Sequence, residues 1–239
     1  MRALTTGVRR RCIDMWRVST IVATHFVRPM LATGVAAAAR RRGIVVHDIA
    51  EAYAHGAVMP GGLDAYTDGL SLWFMEYGPA VLFTERRIVS EQLHLTGRVD
   101  LGAILCGRAM PDTPTPWVID YKTGQPADWH GIQTAGYKLL VEHDVATQTL
   151  AAGAFEPKAV PGAGWSRAVL YLPGNGKYRF VPQTDPQDTY LFRAALTLHT
   201  WRLTHGLDPR TDPEYPTDDL AGAVSESVDG GADPDDQFF

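Results

Sequence analysis

Apolar residues change their spacing several times along this chain, and each change predicts an element. From about Ser19 to Tyr77 the spacing is helical. "VSTIVATHF" follows Ser/Thr caps, "GVAAAARRR" is alanine-rich, and "IVVHDIAEAYAHG" keeps the helical period up to a glycine stop. After the "PGG" at 60–62 comes "LDAYTDGLSLWFMEYG", so three or four helices are expected before any sheet. The period then shortens to runs rich in Val, Ile, Leu and Thr: "AVLFTERRIVS", "LHLTGRVDLGAIL" and "PWVIDYKTG". "GRAMPDTPTP", with three prolines and a glycine between the last two, is a loop. These runs predict an antiparallel meander.

Beyond it, "DWHGIQTAGYKLLVEH" reads as a helix with Asp128 as N-cap. Two strands, "SRAVLYL" and "KYRFVP", flank the turn "PGNG", and "PQDTYLFRAALTLHTWRL" makes a last helix. No repeat recurs at a fixed period, which sets solenoids and propellers aside. From Asp208 onward the chain is rich in Pro, Gly and Asp and poor in apolar residues, so it cannot offset its ordering entropy and is expected to be disordered.

Composition fits this outline. With 239 residues and 45% hydrophobic content, one sizeable core is available. The expected organisation is an N-terminal extension (1–15), one domain (16–207) and an acidic tail (208–239). Cys12 and Cys106 are too few for a disulfide framework or a four-cysteine metal site, which suits a reducing, intracellular compartment. No apolar run approaches the roughly 18 residues of a membrane span, and the first fifteen residues lack a signal-peptide core. A soluble, cytoplasmic protein is expected. Residues 208–239 hold ten Asp or Glu against one Arg, so the net charge of −5 divides into −9 for the tail and +4 for the body. Clusters at Arg9–Arg11 and Arg40–Arg42 suit a polyanionic partner, and equally suit solvated helix faces.

The chemistry concentrates in "TGRVDLGAILCGRAMPDTPTPWVIDYKTG", where Asp100 and Asp120 each end an apolar run and Lys122 follows. Alternation along a strand puts Asp120 and Lys122 on one face and turns Tyr121 away. If "GRVD" lies beside "VIDYK", Asp100 joins that face. Two close carboxylates repel, and a hard divalent cation relieves them; without an ion one is protonated, or both splay into water. His47 and Glu51 stand at i and i+4 on a preceding helix, and Gln133 and Tyr137 repeat that relation on the following one. Each pair alone is ordinary.

In order, Gly43, His47, Glu51 and Tyr53, then Gly97 and Asp100, then Asp120 to Gly124, then Gln133 and Tyr137 form a pattern that resembles the PD-(D/E)xK nucleases of the RecB-like group, from about Trp16 to Leu203. The resemblance implies an α+β (α/β/α) fold, with a central mixed sheet flanked by helices and a restriction-endonuclease-like core preceded by N-terminal helices. It implies Asp100, Asp120, the Tyr121 carbonyl and His47 as metal ligands, with Lys122 positioning the attacking water and stabilising phosphate charge. Gln133 and Tyr137 would brace the site and the nucleic-acid backbone, with Glu51 and Glu85 in supporting roles. Carboxylate, carbonyl and imidazole donors suit Mg²⁺ or Mn²⁺. Branch members that carry an iron–sulfur cluster use four cysteines, so no cluster is expected here.

The implied activity is metal-dependent cleavage of DNA, as an exonuclease of a stand-alone phage type in recombination, repair or phage DNA processing. A catalytically silent DNA-binding module of the same fold, an endonuclease, and a metal-dependent hydrolase on another fold are the alternatives. The terminal "DPDDQFF" resembles the acidic tip of bacterial single-stranded-DNA-binding proteins. That implies a host or phage recombination or repair protein docked through Phe238 and Phe239, whereas solubility or competition with DNA explains the tail without a partner.

Overall fold

The computed structural model describes residues 16–26, 34–57, 64–107, 115–147 and 164–207. The expected N-terminal extension and acidic tail lie outside them. The short strand β1 (Trp16–Arg17) leads into three helices, α1 (Val18–Phe26), α2 (Gly34–Ala54) and α3 (Asp64–Tyr77). There follow β2 (Pro79–Ser90), β3 (Leu95–Leu105), β4 (Pro116–Lys122), α4 (Trp129–Thr147), β5 (Ser166–Tyr171), β6 (Arg179–Pro182) and α5 (Pro186–Thr204). α2 joins two stretches that spacing alone separates, because Gly43 lowers helix propensity without breaking a helix held by neighbours on both sides.

β2, β3 and β4 form the expected antiparallel meander. β4 and β5 are parallel, joined through α4, and β6 returns antiparallel to β5. β1 pairs in parallel with the start of β3, at Leu95 and Thr96, completing a mixed sheet. Both faces are covered, which explains why β3 is almost continuously buried rather than alternating. On one face α1, α4 and α5 pack Val18, Ile21, Leu140 and Phe192 against Ile88, Val99 and Val118. On the other, α2 and α3 pack Val46, Ile49, Leu70 and Trp73 against Leu101, Ile119 and Leu170. Val118 and Ile119 serve opposite cores because neighbouring strand residues point to opposite faces. The architecture is α/β/α.

Local signals set the ends of the later helices. Pro186 opens α5, and the Asp185 carboxylate accepts the Gln187 N–H at 2.8 Å as a helix cap. The "PGNG" turn needs positive φ at Gly174 and Gly176, both at 75°, and Gly176 N–H reaches back to the Ala65 carbonyl on α3. That turn presses on α3, where a Cβ at Gly69 would stand 2.5 Å from the Lys177 carbonyl oxygen. No helix among the described residues is long and apolar enough to cross a membrane.

The two helical glycines therefore respond oppositely to alanine. A Cβ added at Gly43 meets nothing within 4 Å among the described residues. Gly43→Ala therefore gains about 1 kcal/mol of helix propensity and raises the thermal midpoint by roughly 2–4 °C. Gly69→Ala forces α3 off the turn and lowers the midpoint despite the same propensity gain. Thermal denaturation followed by circular dichroism checks both signs.

Candidate active site

The carboxylates come together through strand register. In the β3–β4 ladder Leu101 pairs with Ile119, and continuing it one step would set Asp100 opposite Asp120. The ladder stops there, and the Asp100 side chain takes over: its Oδ2 accepts the Tyr121 N–H at 2.8 Å. On the other edge of β3, Thr84 pairs with Leu101 and Arg86 with Val99, which sets Glu85 at the level of Asp100. Glu85 holds a φ of 41°, a left-handed conformation uncommon away from glycine. Three acidic residues thus occupy one level of three adjacent strands.

α2 brings His47 over them. Its Nδ1 lies 3.1 Å from Glu85 Oε1 and 3.6 Å from Asp100 Oδ1, and its Nε2 is 3.2 Å from the Tyr121 carbonyl oxygen. Acceptors at both ring nitrogens are satisfied together only by an imidazolium, which carries two N–H donors. Burial is the largest single influence and lowers the imidazole pKa, but the charges of Asp100 and Glu85 together outweigh it and hold the group at about 9.

Burial also dominates at Asp100 and Asp120 and raises both carboxyl pKa values. His47 and Lys122 pull Asp100 down and Glu85 pushes it up; Lys122 pulls Asp120 down and Asp100 pushes it up. Lys122 Nζ lies 2.6 Å from Asp120 Oδ2, and Asp120 is 1% exposed. A buried carboxylate of this kind is retained only with a cation beside it.

Ligand atoms of His47, Glu85 and Asp100 all fall within 4.8 Å of one another, close enough to share one ion. The donors of the trio, an imidazole nitrogen and carboxylate oxygens, fit a hard divalent cation, and the Tyr121 carbonyl lies at the other nitrogen of the same ring. The imidazole lone pair becomes available to a metal only once its proton leaves. Glu85, expected in a supporting role, stands inside this trio. Asp120, expected as a ligand, stands beside it and is paired with Lys122. Glu51, one turn along α2 from His47, is half-buried and outside the trio.

Gln133 and Tyr137 are both buried in α4, and Gln133 Nε2 donates to the Tyr137 hydroxyl at 2.9 Å. The Gln133 Oε1 is buried and meets no donor among the described residues. Gly97 explains how this helix reaches β3: a Cβ there would come within 2.8 Å of Leu140 and 3.1 Å of the Tyr137 ring. The glycine of "GRVD" therefore makes room for the tyrosine that follows Gln133 by one turn.

Two residues that sequence reasoning passed over surround Lys122. The Trp129 ring lies 6.0 Å from Lys122 Nζ, in cation–π range, and packs edge-on against His130. His130 Nδ1 accepts the Ala127 N–H at 3.3 Å and therefore also accepts the Tyr171 hydroxyl at 2.8 Å, which fixes a neutral ring. Burial and then the Lys122 charge lower its pKa to about 4. Only their position next to "DYKTG" could have pointed to them.

A family model described as the PD-(D/E)XK nuclease superfamily matches residues 68–219, more than half of the chain. The match takes in Glu85, Asp100, Asp120, Lys122, Gln133 and Tyr137, while His47 precedes it. No curated protein matches the chain.

Folding depresses the His130 pKa, so the unfolded chain binds a proton that the folded one refuses between pH 6.5 and about 4. This contribution to stability is complete above pH 6.5 and is lost as pH falls towards 4. His130→Gln removes it, so the difference in unfolding free energy between wild type and variant shrinks as pH falls across that window. Urea denaturation at several pH values reads the difference; a constant difference would contradict the buried neutral ring.

Proposed function

The chain belongs to the PD-(D/E)XK nuclease superfamily, and from that premise we propose that it is a metal-dependent deoxyribonuclease whose site is built on Asp100, Asp120, Lys122 and His47. The observation that carries the reading is the level of Glu85, Asp100 and Asp120 across three strands, with His47 above and Lys122 alongside. Phosphodiester hydrolysis needs an activated water, neutralised phosphate charge and help for the leaving oxygen. A bound Mg²⁺ or Mn²⁺ supplies charge neutralisation and makes water a better nucleophile near neutral pH.

The chain's own residues do the rest. His47, Asp100, Asp120 and the Tyr121 carbonyl would hold the ion, with Glu85, which contacts His47, beside them. Lys122, with a side chain 19% exposed, keeps a compact positive charge at the edge of the cluster. There it orients the attacking water and offsets charge developing on the phosphate. Asp120 fixes the lysine's place, Trp129 backs it, and the neutral His130 adds no competing cation. Gln133 and Tyr137, locked to each other, brace the strand ends and the bound backbone.

The finer reading is an exonuclease of the RecB-like branch acting in recombination, repair or phage DNA processing. It is supported by the motif order and by the helical histidine aimed at the carboxylates. The C-terminal acidic segment, outside the described residues, is proposed to dock a host or phage recombination or repair protein through Phe238 and Phe239.

Incubation with linear and closed circular DNA, single- and double-stranded, tests the catalytic reading. Linear substrates are degraded with Mg²⁺ or Mn²⁺ but not with Ca²⁺, and closed circles survive. Lys122→Ala loses about 10²–10³ in rate; it also strips the buried Asp120 of its cation and lowers the thermal midpoint, so native circular dichroism at the assay temperature shows that the rate loss is not unfolding. Cleavage of circles removes the exonuclease reading; full activity in EDTA, or in Lys122→Ala, removes the mechanism. For the tail, full-length chain is expected to retain repair proteins in a pull-down that a chain lacking residues 230–239 does not, and equal retention removes the docking proposal.

A further inference from the structure

Next to the metal-binding trio the sheet carries two arginines where two like charges are least expected. Arg87 on β2 and Arg98 on β3 are registered partners across the antiparallel ladder. Directly opposed side chains share a face and lie close together, and like charges there destabilise the pair. Both are exposed, whereas Ile88, Gly97 and Val99 beside them are buried. Val89, next outward on β2, is 47% exposed, so this part of the sheet face is open.

Arg98 ties the pair to the site. Its Nε lies 3.1 Å from Glu85 Oε2 and 3.2 Å from the Glu85 carbonyl oxygen, which fixes the guanidinium beside the trio. Its other N–H groups, and the whole Arg87 guanidinium, meet no acceptor among the described residues. Arg86 shows the contrast: it turns to the opposite face, bonds Asp144 at 2.8 Å and lies over the Phe83 ring. Two residues of strand separate Glu85 from Arg87, roughly 7 Å. A phosphodiester seated there would relieve the repulsion and accept in-plane N–H donors, the geometry at which guanidinium groups excel.

We propose that Arg87 and Arg98 together grip a backbone phosphate of the bound nucleic-acid strand next to the one being cleaved, so that the open face of β2 and β3 is the track by which the strand enters the site. This rests on the nuclease reading above and adds where the strand lies. Arg98 is tied to Glu85, so Arg87 gives the cleaner test.

Binding of fluorescein-labelled single-stranded and duplex oligonucleotides is measured by anisotropy in Ca²⁺, from 50 to 200 mM salt, for wild type, Arg87→Gln and Arg87→Lys. Arg87→Gln is expected to weaken binding about tenfold at 50 mM and about threefold at 200 mM, lowering the slope of log affinity against log salt by roughly 0.7–0.9. Arg87→Lys restores most of the affinity and slope. The thermal midpoint of Arg87→Gln equals or exceeds that of wild type, because a like-charge contact is gone. Wild-type affinity and slope in Arg87→Gln, or a loss that Arg87→Lys does not restore and that follows a lower midpoint, overturns the inference. A wild-type chain that neither binds nor cleaves any DNA overturns the nuclease reading itself, and is told apart by the wild type alone.

Discussion

Three carboxyl groups at one level of one sheet are the constraint from which the rest of the site follows. Glu85, Asp100 and Asp120 sit on neighbouring strands, two of them buried. Burial raises the cost of each negative charge, and proximity multiplies it. The chain answers with three cations: His47 over Asp100 and Glu85, Lys122 on Asp120, and Arg98 on Glu85. A structural cluster with that balance needs nothing more, but the donors of His47, Glu85 and Asp100 converge within 4.8 Å, as a cation site requires.

The fold exists to hold that level fixed. β3 is buried along nearly its whole length between two helical layers, so Asp100 cannot move without moving a core strand. Asp100 replaces a rung of the backbone ladder by binding the Tyr121 N–H, which couples it to the strand bearing Asp120 and Lys122. α2 delivers His47 from one layer and α4 delivers Gln133 and Tyr137 from the other. The Tyr121 ring packs into the α2–α3 core while its carbonyl faces His47. One residue thus anchors the hairpin and contributes to the site.

Much of this was legible in the sequence because period and chemistry agreed. Helical spacing before the meander and the turn between β5 and β6 follow from local rules that the packed chain did not overrule, while most of the proline-rich stretch, 108–114, lies outside the described residues. Asp100, Asp120 and Lys122 were visible as polar residues closing apolar runs. His47 was not derivable from its helix alone; only the ordered set singled it out. Glu85 entered the trio through a positive φ that nothing in "TERR" announces, and Glu51 stayed outside because a helical turn separates it from the strand level. The parallel pairing of β4 with β5 and the two-residue β1 depend on contacts far apart in the chain, which spacing does not encode. Trp129 and His130 look like ordinary helix-start residues until the fold sets them around Lys122.

The proposed chemistry depends on this cluster of carboxylates and imidazole being a divalent-metal site. Anomalous diffraction at the manganese edge, from crystals of the full chain grown with Mn²⁺, shows whether it is. The expected result is an ion held by His47, Asp100, Asp120 and the Tyr121 carbonyl, with Glu85 at or beside it, and no ion there in crystals of Asp100→Asn. Manganese bound only elsewhere, with His47 still bridging Glu85 and the Tyr121 carbonyl, would contradict it.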